Sequence, residues 1–133
     1  MIGLVVATHG TLGETLLATA ELIVGVQPCA VALSLSRGEA PELLRERLSQ
    51  AITEAGSGCE GVLLMTDMLG GTPANIGSAF VEPGRVELLT GVSLPMVLKF
   101  FNSKADIDLL ELAQLLKAYG QQGIQLATDL LKR

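Results

Sequence analysis

The segment Gly61–Asp67 (GVLLMTD) places four apolar side chains in a row, Val62 to Met65, after the turn signal Gly56-Ser57-Gly58. A strand with one wet face alternates polar and apolar residues. An unbroken apolar run is what a strand covered on both faces needs, and such strands belong to parallel sheets. Parallel neighbours need crossover helices, and the rest of the chain offers them. Ile2–Ala7 reads as a first strand. Thr11-Leu12-Gly13-Glu14 has capping-box spacing and opens a helix with Leu12, Leu16, Ala20 and Ile23 on one face. Val31–Leu35 is a second strand. Pro41 suits a first helical position, and Leu44, Leu48 and Ile52 then form a stripe that runs to about Ala55. After the third strand, Gly61–Asp67, Thr72-Pro73 is read as an N-cap and first helical residue, with a helix to about Phe80. Val86–Thr90 is a fourth strand. Pro95 opens a short helix to Asn102, and Asp106 caps another over Ile107–Tyr119, stopped by Gly120 and Gly123.

This alternation predicts an α/β domain, a doubly wound sheet of four parallel strands. A chain of 133 residues has room for one domain, taken as 1–133. The order 2-1-3-4 is expected, which makes the loops after strands 1 and 3 diverge. The crevice between them is the topological switch point, where such sheets bind ligands. Beyond the last long helix, Gly123-Ile124-Gln125-Leu126-Ala127 alternates apolar and polar residues. It is expected to form a fifth strand, antiparallel on the edge of strand 4. Continuation of a helix through Ile124, Leu126, Leu130 and Leu131 is the competing local reading.

Composition excludes several roles. Aromatic residues are 3% of the chain, Trp is absent and the net charge is −5. Single-stranded nucleic acid needs stacking platforms and a basic face, so no nucleic-acid partner is expected. Mean hydropathy is high at +0.49, but Glu14 and Glu21 interrupt the first apolar helix, and no apolar run is long enough to span a bilayer. The start MIGLVVATHG lacks the basic region of a signal peptide. A cytoplasmic protein without membrane insertion is expected. Cys29 and Cys59 lack metal-ligand spacing and the single His cannot complete a site with them, so both are read as reduced and no metal or cofactor is expected. Glu42, Arg45, Glu46 and Arg47 are read as a solvated helix face.

That single histidine, His9, follows strand 1, and Asp67 ends strand 3. They are 58 residues apart in sequence, yet the order 2-1-3-4 makes them neighbours across the crevice. Thr11 after His9, and Met68-Leu69-Gly70-Gly71-Thr72-Pro73 after Asp67, each open a helix, so orphan N–H groups converge there. Gly70 and Gly71 let backbone approach an anion, and the Thr72 hydroxyl can help hold it. A neutral imidazole is a nucleophile, and a carboxylate on its other nitrogen fixes the tautomer and steadies the cation that forms. The constellation fits phosphoryl transfer through a phosphohistidine. An ordinary loop histidine beside a turn-capping aspartate is the competing reading. Met68 and Leu69 fit either core or a docking surface.

The pieces VVATHG, MTDMLGGTPAN and GVSLPM stand in the order and spacing that resemble the enzyme IIA component of the mannose family of the bacterial phosphoenolpyruvate:sugar phosphotransferase system. The resemblance covers nearly the whole chain. It implies that His9 accepts a phosphoryl group from the carrier HPr and passes it to enzyme IIB. It implies that Asp67 hydrogen-bonds His9 and that the stretch Gly70 to Pro73 lies beside the phosphate. It also implies a homodimer in which the C-terminal strand crosses to the partner. Leu69 stands where the family often has Trp. With the chain ending at Arg133, no fused IIB domain is expected.

Three alternatives compete. A histidine phosphatase or phosphomutase needs an arginine before the histidine and a second histidine as acid, but Thr8 precedes His9 and no second His exists. The related phosphocarrier domain of the dihydroxyacetone kinase system shares the fold and the phosphohistidine. A non-catalytic α/β interaction module would leave His9 a bystander.

Overall fold

The computed structural model describes residues 1–103 and 106–132. Its centre is a four-stranded sheet in the order β2-β1-β3-β4, with every neighbouring pair parallel. The strands are β1 (Ile2–His9), β2 (Ala30–Leu35), β3 (Gly61–Thr66) and β4 (Val86–Thr90). Between them run α1 (Leu12–Val24), α2 (Pro41–Gly56) and α3 (Thr72–Gly77), the last continued by a 3-10 turn over Ser78–Phe80. After β4 come α4 (Leu94–Phe101), α5 (Leu109–Gln122) and α6 (Ala127–Leu131).

Every residue of β3 is buried, as an apolar run covered on both faces requires. Alternate side chains of β1 and β3 enter two cores. On one side Leu4, Val6, Leu63 and Met65 pack with Leu17 of α1, Val97 of α4 and Leu116 of α5. On the other, Val5, Ala7, Val62 and Leu64 pack with Leu44, Leu48 and Ala51 of α2 and Ile76 of α3. Each buried Leu or Val contributes roughly 1.5–3 kcal/mol relative to an exposed one. The two central strands are thus fixed from both faces, and their C-terminal ends share one rim.

Several local expectations are corrected. β1 runs two residues further than Ala7, so His9 is its last residue rather than a loop residue beyond it. The Thr11–Glu14 capping box does not form. The buried Thr8 hydroxyl accepts from the Gly13 amide at 2.8 Å, and Glu14 accepts from Ser34 Oγ at 2.6 Å. The inward face of α1 is Gly13, Leu17 and Ala20, which leaves Leu12 and Ile23 exposed. Gly71, not Thr72, is the residue before α3, and Thr72 is its first helical residue. Asp108, not Asp106, caps α5, accepting from the Glu111 amide at 2.8 Å. Gly120 does not stop α5. A Cβ there would meet Met96 Sδ at 2.6 Å, so the glycine permits the packing of α5 on α4.

The tail differs from the expected strand over 123–127. Gly123 is helical (φ −71°, ψ −11°), Ala127 already belongs to α6, and the intervening residues pair with no strand among the described residues. Local hydrogen bonding wins here: the Ile124 amide donates to the Gln121 carbonyl and the Asp129 amide to the Leu126 carbonyl, and the outer side of β4 is left free among the described residues. β4 pairs only with β3, and Ile124, Leu126, Leu130 and Leu131 lie exposed.

Candidate active site

The site grows from the ends of β1 and β3. Their register pairs Ala7 with Thr66, so the next residues along, Thr8–His9 and Asp67, stand side by side at the end of the sheet. Thr8 is 1% exposed, whereas the His9 side chain is 46% exposed and Asp67 only 13%. Asp67 Oδ2 accepts from the His9 amide at 3.1 Å and lies 2.8 Å from His9 Nδ1. An ionised carboxylate can only accept, so Nδ1 carries the hydrogen and Nε2 keeps its lone pair. Burial pushes the Asp67 carboxyl up, but hydrogen bonds from the His9 ring, the His9 amide and its own amide outweigh that. The group is held below the usual carboxylate range. Asp67 Oδ1 is buried without a hydrogen-bond partner among the described residues. Apart from its own amide, the carboxylate's partners are thus the ring and the amide of His9.

Gly71 closes the other side of the ring. A Cβ at this position would meet His9 Cε1 at 2.8 Å and Met68 Cγ at 3.0 Å. Gly70 has φ +83° and open space where a Cβ would be, so it serves the turn. Its carbonyl accepts from Asn75 Nδ2 at 3.4 Å. Thr72 lines the crevice beside His9. His9, Asp67, Gly71 and Thr72 are therefore brought together, while Gly70 shapes the loop and does not line the crevice. Met68 and Leu69 are 54% and 82% exposed, which removes them from the core.

The crevice has a volume of about 640 Å³ and a second wall from the segment after β2, Leu35 to Glu39. His9 pairs in register with Leu35, and Gly10 donates to the Leu35 carbonyl at 2.9 Å. Sequence reasoning passed over this segment. Its signal was Ser36-Arg37-Gly38, a turn next to the switch point. Arg47 is not simply a solvated residue of α2: it donates to Glu39 Oε2 at 2.7 Å and to the Ser34 carbonyl at 3.0 Å. No cluster of three His, Cys, Asp or Glu side chains suited to a metal occurs among the described residues. Nor, among them, is any helix long and apolar enough to cross a membrane.

A family model described as "PTS system fructose IIA component" matches residues 3–117. The PTS system fructose-specific EIIA component of Bacillus subtilis (strain 168) is 30% identical over 134 residues, covering 100% of this chain and 91% of that protein. The PTS system mannose-specific EIIAB component of Escherichia coli (strain K12) is 31% identical over 93% of this chain, which spans only 39% of that protein. Among solved structures, phosphotransferase system component EIIA from Streptococcus agalactiae superposes with a TM-score of 0.87 at 25% identity. It covers 97% of this chain and 99% of that one.

Proposed function

From the premise that the chain belongs to the fructose and mannose IIA family of the phosphotransferase system, we propose that His9 is its phosphoacceptor. The donor is phospho-HPr and the acceptor is a histidine of enzyme IIB. The observation that carries this reading is the single contact of 2.8 Å between Asp67 Oδ2 and His9 Nδ1, which leaves the exposed Nε2 free to attack. The Nε2 lone pair forms a bond to phosphorus as the P–N bond of the donor breaks, and the released pair stays on the donor's ring nitrogen. The Nδ1 hydrogen remains directed at Asp67, which balances the imidazolium character of the phosphorylated ring. The Thr72 hydroxyl holds a phosphoryl oxygen, and Gly70 shapes the turn that sets Gly71 against the reacting ring. Met68 and Leu69 give the partner proteins an apolar surface beside the reacting nitrogen.

Residues 1–133 act as one IIA domain in the cytoplasm, where both protein partners meet it. The unpaired side of β4 and the exposed apolar tail suit a homodimer in which residues 123–127 of each protomer pair antiparallel with the partner's β4. An unpaired edge is a liability that such exchange covers.

Incubation with phosphoenolpyruvate, enzyme I and HPr tests the central claim. Acid-labile phosphate is expected on the wild-type chain and none on a folded His9→Ala variant. Acid-labile phosphate persisting on His9→Ala would remove His9 from the pathway. A wild-type chain that stays unlabelled would favour a non-catalytic interaction module.

A further inference from the structure

A phosphoryl group on His9 brings close to two negative charges at neutral pH, in a chain whose net charge is already −5. Asp67 and the cationic ring offset each other, so the charge on the phosphoryl oxygens is left without a balancing cation. Among the described residues one cation lines the crevice that His9 faces, Arg37. It lies two residues beyond Leu35, the register partner of His9. It is exposed and forms no ion pair among the described residues.

The backbone that presents Arg37 is unusually well fixed for a surface loop. Ser36 to Glu39 form a β-turn closed by the Glu39 amide on the Ser36 carbonyl at 3.1 Å. Gly38 takes φ +81°, the left-handed position of a type II turn, and Arg37 occupies the preceding corner. The Glu39 carboxylate accepts from the Ser36 amide at 3.2 Å and from Arg47 at 2.7 Å. Glu39 also lines the crevice, but its side chain is 8% exposed and committed to Arg47. It therefore leaves Arg37 unneutralised. One arginine is spent on building the turn, and the other is held out over the crevice without a carboxylate of its own.

We propose that Arg37 is the countercharge of the phosphorylated site, its guanidinium holding a phosphoryl oxygen while the P–N bond forms at His9 Nε2. This rests on His9 being the phosphoacceptor. Arg37 gives up no proton, since a guanidinium stays charged throughout, and its planar fork suits phosphoryl oxygens.

Two donors separate this role from partner docking. Phosphoramidate is a small donor that needs no protein interface, whereas phospho-HPr must dock. Wild type, Arg37→Gln and Arg37→Lys are compared with both, and melting curves establish that the exposed turn variants stay folded. Arg37→Gln is expected to lose about tenfold or more in rate with both donors, the scale of one charge-assisted hydrogen bond. Arg37→Lys should recover part of it as a point charge. A loss seen only with phospho-HPr overturns the proposal and makes Arg37 a docking residue. Rates within twofold of wild type with both donors overturn it outright. A wild-type chain labelled by neither donor removes the phosphoacceptor reading, and this proposal with it.

Discussion

One oxygen of Asp67 takes two hydrogen bonds from one residue: the His9 amide at 3.1 Å and the His9 ring at 2.8 Å. The first joins the ends of β1 and β3. The second sets the ring's tautomer and angle. Backbone closure and nucleophile orientation therefore depend on the same atom.

Asp67→Asn keeps the shape of the side chain and removes its charge. Transfer from phospho-HPr is expected to fall about 10- to 100-fold, as when a positioning partner of a reactive imidazole is lost. Single-turnover rates check this, and an unchanged rate would reduce Asp67 to a turn-capping role. The pH dependence has a definite sign. The folded carboxyl lies below its usual value, so its stabilisation is present above the ordinary carboxylate pKa and is lost as pH falls through the lowered one. The melting-temperature gap between wild type and Asp67→Asn should be constant near neutrality and close below about pH 4. A gap that widens in acid would contradict the assignment.

Gly71 and Gly70 are neighbours with opposite sensitivities. Gly71 has φ −80°, which any residue adopts, so Gly71→Ala strains no backbone and acts by pushing on His9 Cε1 and on the flexible, exposed Met68 side chain. Transfer should drop with little change in melting temperature. Gly70 has φ +83° and open space around it, so Gly70→Ala should cost about 1–2 kcal/mol of stability. Thermal melts and transfer rates on both variants give the comparison; equal effects on both readouts would refute it.

Thr8 supplies the cap of α1 from the strand before it. Thr8→Val, nearly isosteric, leaves the Gly13 amide without its acceptor and should cost about 1–2 kcal/mol in urea unfolding. Thr8→Ser should retain most of the stability. A Val variant as stable as wild type would show that the amide finds another acceptor.

Truncation after Gln122 removes the tail that is assigned to the dimer. Light scattering should find the full chain at twice the monomer mass and the truncated chain as a monomer. A truncated chain that stays dimeric would mean that another surface joins the subunits.

What could be read from sequence, and what could not, divides by the range of the interaction. The β3 run was legible because burial on both faces writes itself into consecutive residues. The pairing of His9 with Asp67 was legible once the strand order was, since the switch point follows from connectivity. The cap of α1 was not, because Thr8 lies in a strand, five residues before the amide that it serves, and local spacing favoured Thr11. Gly120 looked like a helix stop, but its reason is Met96 on another helix. Gly71 was read as room for an anion, while its most crowded neighbour is the histidine ring. The tail's alternating pattern fits a strand, yet within one chain its local hydrogen bonds carry it into α6 rather than onto the free side of β4.

Between Thr8 and His9 the chain passes from 1% to 46% exposure within a single peptide bond. That bond's N–H is the donor to Asp67. The histidine is thus not carried on a loop that can breathe independently of the sheet. Its amide is tied to the Asp67 side chain at the end of β3, so a movement of that carboxylate is what releases it. Deuterium uptake at this amide should therefore rise in Asp67→Ala, even where the rest of the sheet stays protected. On the proposed function, a nucleophile mounted at a strand end offers a fixed target, to which each partner brings its reacting group.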